Sequence, residues 1–484
     1  MTNAPRHDAP VLLWLHRELR LDDNAALAAA LATGRAVVPV YVLDTTSPGR
    51  WAPGGASLWW LHHALTRLGA AFARRGTRLV LRRGPVAEVL ATLARESGAV
   101  AVHAGAPVEP WAHRALETLA ARGVRVVLAR TATLFDPADI RTGSGGPYAV
   151  FTPFARACRA RPEPSLLPAP EALPAGPEIP SDALDSWRLL PRRPDWAAGF
   201  AACFTPGEAG ARAALERFVA DRRAGYAAAR DRPDRAGTSG LSPHLHFGEI
   251  SPGRVWQAAA PSPRFGDELL WREFSAHLLV AHPDLPAAPL RPAFAAFPWR
   301  DDPAALAAWQ HGRTGIPIVD AGMRELWTTG WMHNRVRMIA ASFLVKHLLL
   351  PWQAGEAWFW DTLLDADLAA NAASWQWVAG CGADAAPYFR IFNPVLQGEK
   401  FDPEGAYVRR WVPELAGVPA RWVHQPWRAP APPRAYPPPI VDLAAGRARA
   451  LAAFAALRHG HASAPGSPAG KEGKAFSPEG QGNK

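Results

Sequence analysis

The sequence predicts an α/β N-terminal domain on a doubly wound, parallel, five-stranded sheet, then a long linker, then a large all-α domain. Three observations carry this. Short apolar runs alternate with helix-like segments over residues 9–137. A proline-rich, polar stretch without periodicity occupies 138–205. From 206 to 457 apolar residues recur at helical spacing.

The first runs are Val11–Leu15, Ala36–Leu43, Leu79–Leu81, Val100–His103 and Val124–Leu128. Each is short and almost wholly apolar, as strands covered on both faces are. Between them lie the predicted helices Asn24–Ala32, Ala56–Arg75, Val86–Arg95 and Trp111–Ala121. Such sheets bind ligands at the carboxyl ends of their strands. Yet no GxGxxG follows the first strand and no GxxxxGK[ST] occurs anywhere, so no dinucleotide site is expected in this half. Thr142–Phe154 is a glycine-rich turn running into an aromatic strip. Arg161–Trp196 then wraps the surface as a linker. The predicted helices of the second domain are Gly207–Ala220, Pro252–Ala259, Glu268–Val280, Pro303–His311, Ile318–Thr328, Trp331–Leu350, Gly355–Leu364 and Val441–Leu457. Residues 458–484, rich in Gly, Ser, Pro and Lys, are expected to be disordered.

Composition excludes several classes. No run of 18 uncharged apolar residues exists, so no transmembrane span is expected. The amino terminus lacks the layout of a secretory signal. Three scattered cysteines cannot make a four-cysteine zinc site or hold an iron–sulfur cluster, and no metal is expected. The chain reads as a cytoplasmic, reduced monomer. Its formal charge is +10, and only five of 53 basic residues are lysine. Arginine suits phosphate recognition, although a coding bias towards arginine would give the same count. The 21 tryptophans are well above the usual frequency, and large helical cores are the bland account of them.

Three clusters carry chemistry. Tyr226 and the loop Thr238, Ser239, Gly240, Leu241, Ser242 put hydroxyls and free amides at a turn opening into a helix. That suits a diphosphate or an ordinary helix cap. In ELLWREFSAHLL, Glu268, Trp271, Arg272 and Ser275 share one helical face. They fit a base-like ligand, or else Glu268 and Arg272 pair within the helix. Between Trp331 and Trp377, residues Asn334, Arg337 and Met338 share a face, with Arg335 about 100° away. Asp365, Asp367, Asn371, Trp375 and Trp377 follow. Amides, an arginine, close carboxylates and indoles form a pocket for a large, polar, aromatic ligand. Arg337 and Asp365 are placed to pair.

The motifs WLHRELRLDDNAAL, TSGLSPHLHFGEIS, ELLWREF, TGIPIVDAGMREL, GWMHNRVRM, DADLAANAASWQW and DAAPYFRIFNPVLQGEKFD, in this order, resemble the photolyase/cryptochrome family. Within it the chain looks most like the bacterial class I cyclobutane pyrimidine dimer photolyases. The resemblance implies one FAD in the helical domain, working as FADH⁻. Tyr226 and Thr238–Ser242 would hold its phosphates and ribityl chain. Arg272, Asn334, Arg337, Asp365, Ala366, Asp367 and Asn371 would line the rest, with Asn371 facing flavin N5. UV-damaged DNA would meet Arg230, Glu268, Trp271, Arg272, Ser275, Asn334, Arg335, Met338, Trp377 and Gln397. Trp375, Trp352 and Trp299 match the family's electron relay. Light would drive an electron from the reduced flavin to a flipped-out dimer and back, with Glu268 steadying the dimer's charge. A cryptochrome photoreceptor without repair activity is the alternative. For the antenna site the resemblance leaves two outcomes, an empty site or a chromophore, and if one binds it favours a deazaflavin over methenyltetrahydrofolate, because Pro110, Trp111 and Leu290 stand where folate-binding members carry other groups.

Overall fold

The computed structural model describes residues 9–260, 262–385 and 389–462. All five apolar runs are strands: β1 Val11–Leu15, β2 Val37–Leu43, β3 Val80–Arg83, β4 Val102–Gly105 and β5 Val126–Ala129. They pair in parallel in the order β3-β2-β1-β4-β5. Helices α1 Ala25–Leu31, α2 Gly55–Ala73, α3 Val86–Ser97 and α4 Pro110–Ala121 cover both faces. Every residue of β1 and β2 is buried, and side chains of β1 enter two separate cores, one on each face. That two-sided burial is why these strands read as unbroken apolar runs and not as alternation.

The strand order reverses between β1 and β4, where open α/β sheets usually bind ligands. Here protein fills the crevice. A side chain at Gly105 would collide with Thr131 and with the buried Glu18. Arg17, just past β1, crosses this point into the second domain. Its Nη2 donates to Asp367 Oδ2 at 2.7 Å, its Nε donates to the His246 carbonyl at 2.6 Å, and its Nη1 pairs with Glu109. Burial is the largest single effect and raises the Glu109 and Asp367 carboxyls, but Arg17 together with His16 at Glu109, and with Arg272 and His246 at Asp367, outweighs it and holds both below the usual carboxylate range.

The segment expected to be an irregular linker contains a helix, α5 Phe151–Arg159. Its Phe154, Ala155 and Cys158 are buried against α6, Pro263–Ala281. The aromatic strip is therefore packing surface. Farther on, the stretch expected as one helix over Trp331–Leu350 is divided. Helix α7 spans Asn334–Ser342, and a wide π turn follows over Phe343–His347. In that turn the buried Lys346 donates to the Ala379 carbonyl at 2.7 Å. Helices α8 Trp352–Thr362 and α9 Leu368–Ala379 pack side by side, and α10 Leu443–Ala462 lies against the π turn. Helix α10 runs through 458–462, residues expected to be disordered; the remainder of that tail lies outside the described residues. Among the described residues no helix is long and apolar enough to cross a membrane.

Arg17→Ala would take the shared cation from the buried Glu109 and the half-buried Asp367, a loss of about 3 kcal/mol. The stabilisation from carboxyls held low is complete above their ordinary values of 3.8 and 4.5 and is lost as pH falls through their lowered ones. Unfolding free energies should therefore separate wild type from variant most above that range and converge under acid.

Candidate functional site

Helix α9 begins where the Asp367 side chain accepts the Ala370 amide, and it ends at Gly380 in the left-handed region. Asn371 is four residues from the cap and Trp375 four further, so they share a face towards α8. Asn371 Nδ2 donates to the Glu356 carbonyl of α8 at 3.0 Å. A backbone carbonyl only accepts, so the amide orientation is fixed, and the Asn371 carbonyl oxygen is left to accept from something else. Gly355 lets the two helices close in, because a side chain there would collide with the Trp375 ring.

Helix α7 is capped by His333, whose Nδ1 accepts the Arg335 amide at 3.2 Å. Arg337 Nη2 donates to Asp365 Oδ2 at 2.9 Å, while its Nε donates to the Met332 carbonyl at 2.7 Å. The pair expected from sequence is thus formed. Asp365 Oδ1 is buried without a protein partner, an acceptor suited to a ligand N–H or O–H. Ala366 is buried beside it. Both oxygens of Asp367 are engaged, by Arg17 and by the helix cap, so its carboxylate serves the domain junction.

In the loop ahead, Gly240 has φ +70°, a conformation that favours glycine. The Thr238 carbonyl accepts from Arg222 at 3.1 Å, Ser239 Oγ accepts the Leu241 amide at 3.3 Å, and Ser242 Oγ accepts from Trp331 Nε1 at 3.3 Å. Leu241 is buried and Ser242 exposed. Tyr226 packs its ring against Phe218 and Phe265.

On α6 the expected face is only partly assembled. Glu268 does not pair with Arg272. It pairs with Arg230, and Arg272 turns to the buried Glu273 at 3.2 Å. Burial raises the Glu268 carboxyl although Arg230 pulls it down. Trp271 stacks on Phe151 of α5 with ring centres 3.7 Å apart and planes 5° from parallel. Ser275 is buried, and its hydroxyl donates to the Trp271 carbonyl at 3.0 Å, so it does not reach the rim. Arg335 donates to Asp231 at 3.0 Å and lies over the Phe401 ring. Asn334 is exposed, whereas Met338, Trp377 and Gln397 are half-buried. Arg390 lies 5.6 Å from the Trp377 ring centre.

Two of the three tryptophans lie inside the core and the third at its edge. Trp375 is 2% exposed and Trp352 1%, both inside one core, while Trp299 is half-buried at that core's edge against Phe297. Sequence reasoning missed Arg17, Asp231, Phe151 and Glu356. Glu356 lies fully buried with both carboxylate oxygens unpartnered, and burial pushes it up to about 9 despite Arg50. No spacing rule pairs residue 17 with 367 or 151 with 271; only Glu356, a lone acid in the apolar stretch Ala354–Trp360, stood out in the sequence. Among the described residues no group of histidines, cysteines and carboxylates could hold a metal ion.

An α/β domain locked onto a helical domain, with a buried carboxylate oxygen left without a protein partner, offers a large polar ligand its acceptors. Two family models match: DNA photolyase over residues 11–177, and the FAD binding domain of DNA photolyase over residues 265–456. The deoxyribodipyrimidine photo-lyase of Agrobacterium fabrum is 46% identical over 474 residues, 93% of this chain and 98% of that one. Cryptochrome-1 of Arabidopsis thaliana is 37% identical over 476 residues, covering 90% of this chain and 69% of its own. A crystal structure of a bacterial class III photolyase from Agrobacterium tumefaciens superposes with a TM-score of 0.89 at 46% identity, over 95% of this chain and 99% of that one. The chain therefore belongs to the photolyase/cryptochrome family and carries its FAD binding domain. The sequence motifs pointed to class I, whereas this solved relative is described as class III.

Because folding holds Glu356 neutral, stability should fall as pH rises from 4.5 to about 9, the window in which the unfolded chain is ionised and the folded one is not. Glu356→Gln removes that slope. Denaturant titrations across the window check it, and parallel curves for the two proteins would refute it.

Proposed function

We propose that the chain is a deoxyribodipyrimidine photolyase of the class III kind, which uses light and FAD to split cyclobutane pyrimidine dimers in DNA. The assignment to class III rests on the 46% identical relative. The observation that carries the repair reading is the neutral amide of Asn371, its nitrogen tied to Glu356 and its oxygen free. An acidic group there, as in many cryptochromes, would bring a proton to the flavin instead.

The residues present fit the cofactor. Asp365 Oδ1 and the Asn371 oxygen are acceptors awaiting donors, Arg337 supplies positive charge, and the loop around Gly240 offers backbone and hydroxyl groups to the phosphates. When bound, reduced FAD supplies the excited electron that opens the cyclobutane ring and receives it back. The chain's part is placement. Trp271, held flat by Phe151, would give the flipped bases an apolar wall, to which Trp377 would add. Base flipping is a general photolyase property. Glu268, held beside Arg230, would accept a hydrogen bond from a pyrimidine N–H at the edge of the flipped dimer. Arginines around the mouth meet phosphates, so binding is salt-sensitive and indifferent to sequence. The Trp375, Trp352, Trp299 series leads from the core to the surface and would re-reduce oxidised cofactor under light. Glu109 and Trp111 are engaged with Arg17 and His16, so the expected deazaflavin antenna would bind beside that cluster and not through it. A cytoplasmic monomer remains part of this reading.

Blue light on the flavin-reduced protein should remove dimers from dimer-containing single-stranded DNA. Dimers that persist under light with fully reduced flavin would leave the photoreceptor reading. Trp299→Phe should slow photoreduction of oxidised FAD while sparing repair by pre-reduced protein, measured by absorbance and dimer assay; equal loss of both would remove the relay.

A further inference from the structure

The mouth of the pocket carries a chain of four charges that sequence reasoning did not connect. Glu268 pairs with Arg230. Arg230 Nε lies 3.7 Å from Asp231 Oδ1, and the same oxygen accepts from Arg335 Nη2 at 3.0 Å. Arg335 is pinned further over Phe401, 4.5 Å from the ring centre. Two cations and two anions sum to zero, although the whole chain is +10. Two of the three arginines expected to reach DNA, Arg230 and Arg335, are thus neutralised within this chain of charges. Neither is fully matched: Nε of Arg230 and Nε of Arg335 are buried without hydrogen-bond partners. Each arginine therefore has reason to exchange partners when an acceptor arrives.

We propose that Asp231 is a specificity-determining residue that withholds these arginines from undamaged DNA. The inference rests on the DNA-repair reading above. Undamaged duplex brings phosphates but nothing for Glu268. Taking Arg335 for a phosphate would then strip Asp231 of its closest partner and leave a carboxylate facing a polyanion. A flipped dimer changes the sequence of partners. It engages Glu268, which releases Arg230. Arg230 closes the short gap to Asp231, and Arg335 becomes free for the backbone. One carboxylate thereby couples occupancy of the pocket to capture of a phosphate at its rim. No bond is made or broken in this exchange, and the charge inside the protein is unchanged.

The test uses the FAD-loaded full chain in the dark, with Kd read by fluorescence anisotropy for matched oligonucleotides with and without a dimer. Asp231→Asn leaves one arginine free from the start. Affinity for undamaged DNA should rise roughly eightfold at about 0.1 M salt, and its log–log salt slope should steepen by about 0.9, the value of one more phosphate contact. Affinity for dimer DNA should change by less than about twofold on the same argument, so discrimination falls. Asp231→Glu should keep it. In an Arg335→Gln background the effect of Asp231→Asn should vanish. Equal gains for both DNAs, no gain for undamaged DNA, or an undiminished effect in the Arg335→Gln background would each overturn the role given to Asp231. If the wild-type protein itself shows no preference for dimer DNA, the repair reading fails first and takes this inference with it.

Discussion

The half-buried pair between Arg17 and Asp367 is the constraint on which the rest of the molecule depends. It joins the end of the first strand to the cap of helix α9, two points 350 residues apart in sequence. Asp367 starts the helix that carries Asn371, Trp375 and Trp377, so the register of that helix is referred back to the sheet. A buried ion pair contributes little net stability against an apolar substitute, but it tolerates the loss of neither partner. It fixes which surfaces meet. Glu249 works alongside it, accepting from Trp60 of α2 and from the Gly207 amide while it pairs with His244. Two acid-centred junctions therefore hold the domains together, where an apolar seam would leave them free to slide.

This placement also explains why a doubly wound sheet here dispenses with a phosphate loop. The crevice at the strand reversal is occupied by the guanidinium that reaches across it. The ligand chemistry has moved to the helical side, where the turn between α8 and α9 leaves Asp365 Oδ1 buried with no protein group to satisfy it, and Asn371 of α9 presents its amide oxygen. Such unmatched acceptors are rare in folded proteins and mark positions completed by a ligand.

Much of this was legible in the sequence, for identifiable reasons. Strands covered on both faces leave short apolar runs, and all five were found. The Arg337–Asp365 pair was legible because both residues fall in one dense polar stretch. Other features depend on distance in space. The helix expected over Trp331–Leu350 is interrupted by a π turn, which leaves the apolar spacing almost intact and so gives no warning. The face shared by Glu268 and Arg272 was sound as helical geometry, but Arg230 and Glu273 offered each a nearer partner. Phe151 read as linker because nothing local shows that it lies flat on Trp271.

The close contact between Gly355 and Trp375 has a consequence for speed. The indole is wedged where even one methyl group would collide, and Phe359 and Trp309 present their rings nearly edge-on to it. A side chain so confined can neither swing nor admit water when its charge changes. An electron leaving it meets a medium that is already arranged and scarcely responds. Rigidity at this glycine thus sets a small reorganisation energy for the innermost step of the proposed relay, and mobility is left to the outer indole, where solvent can hold the charge.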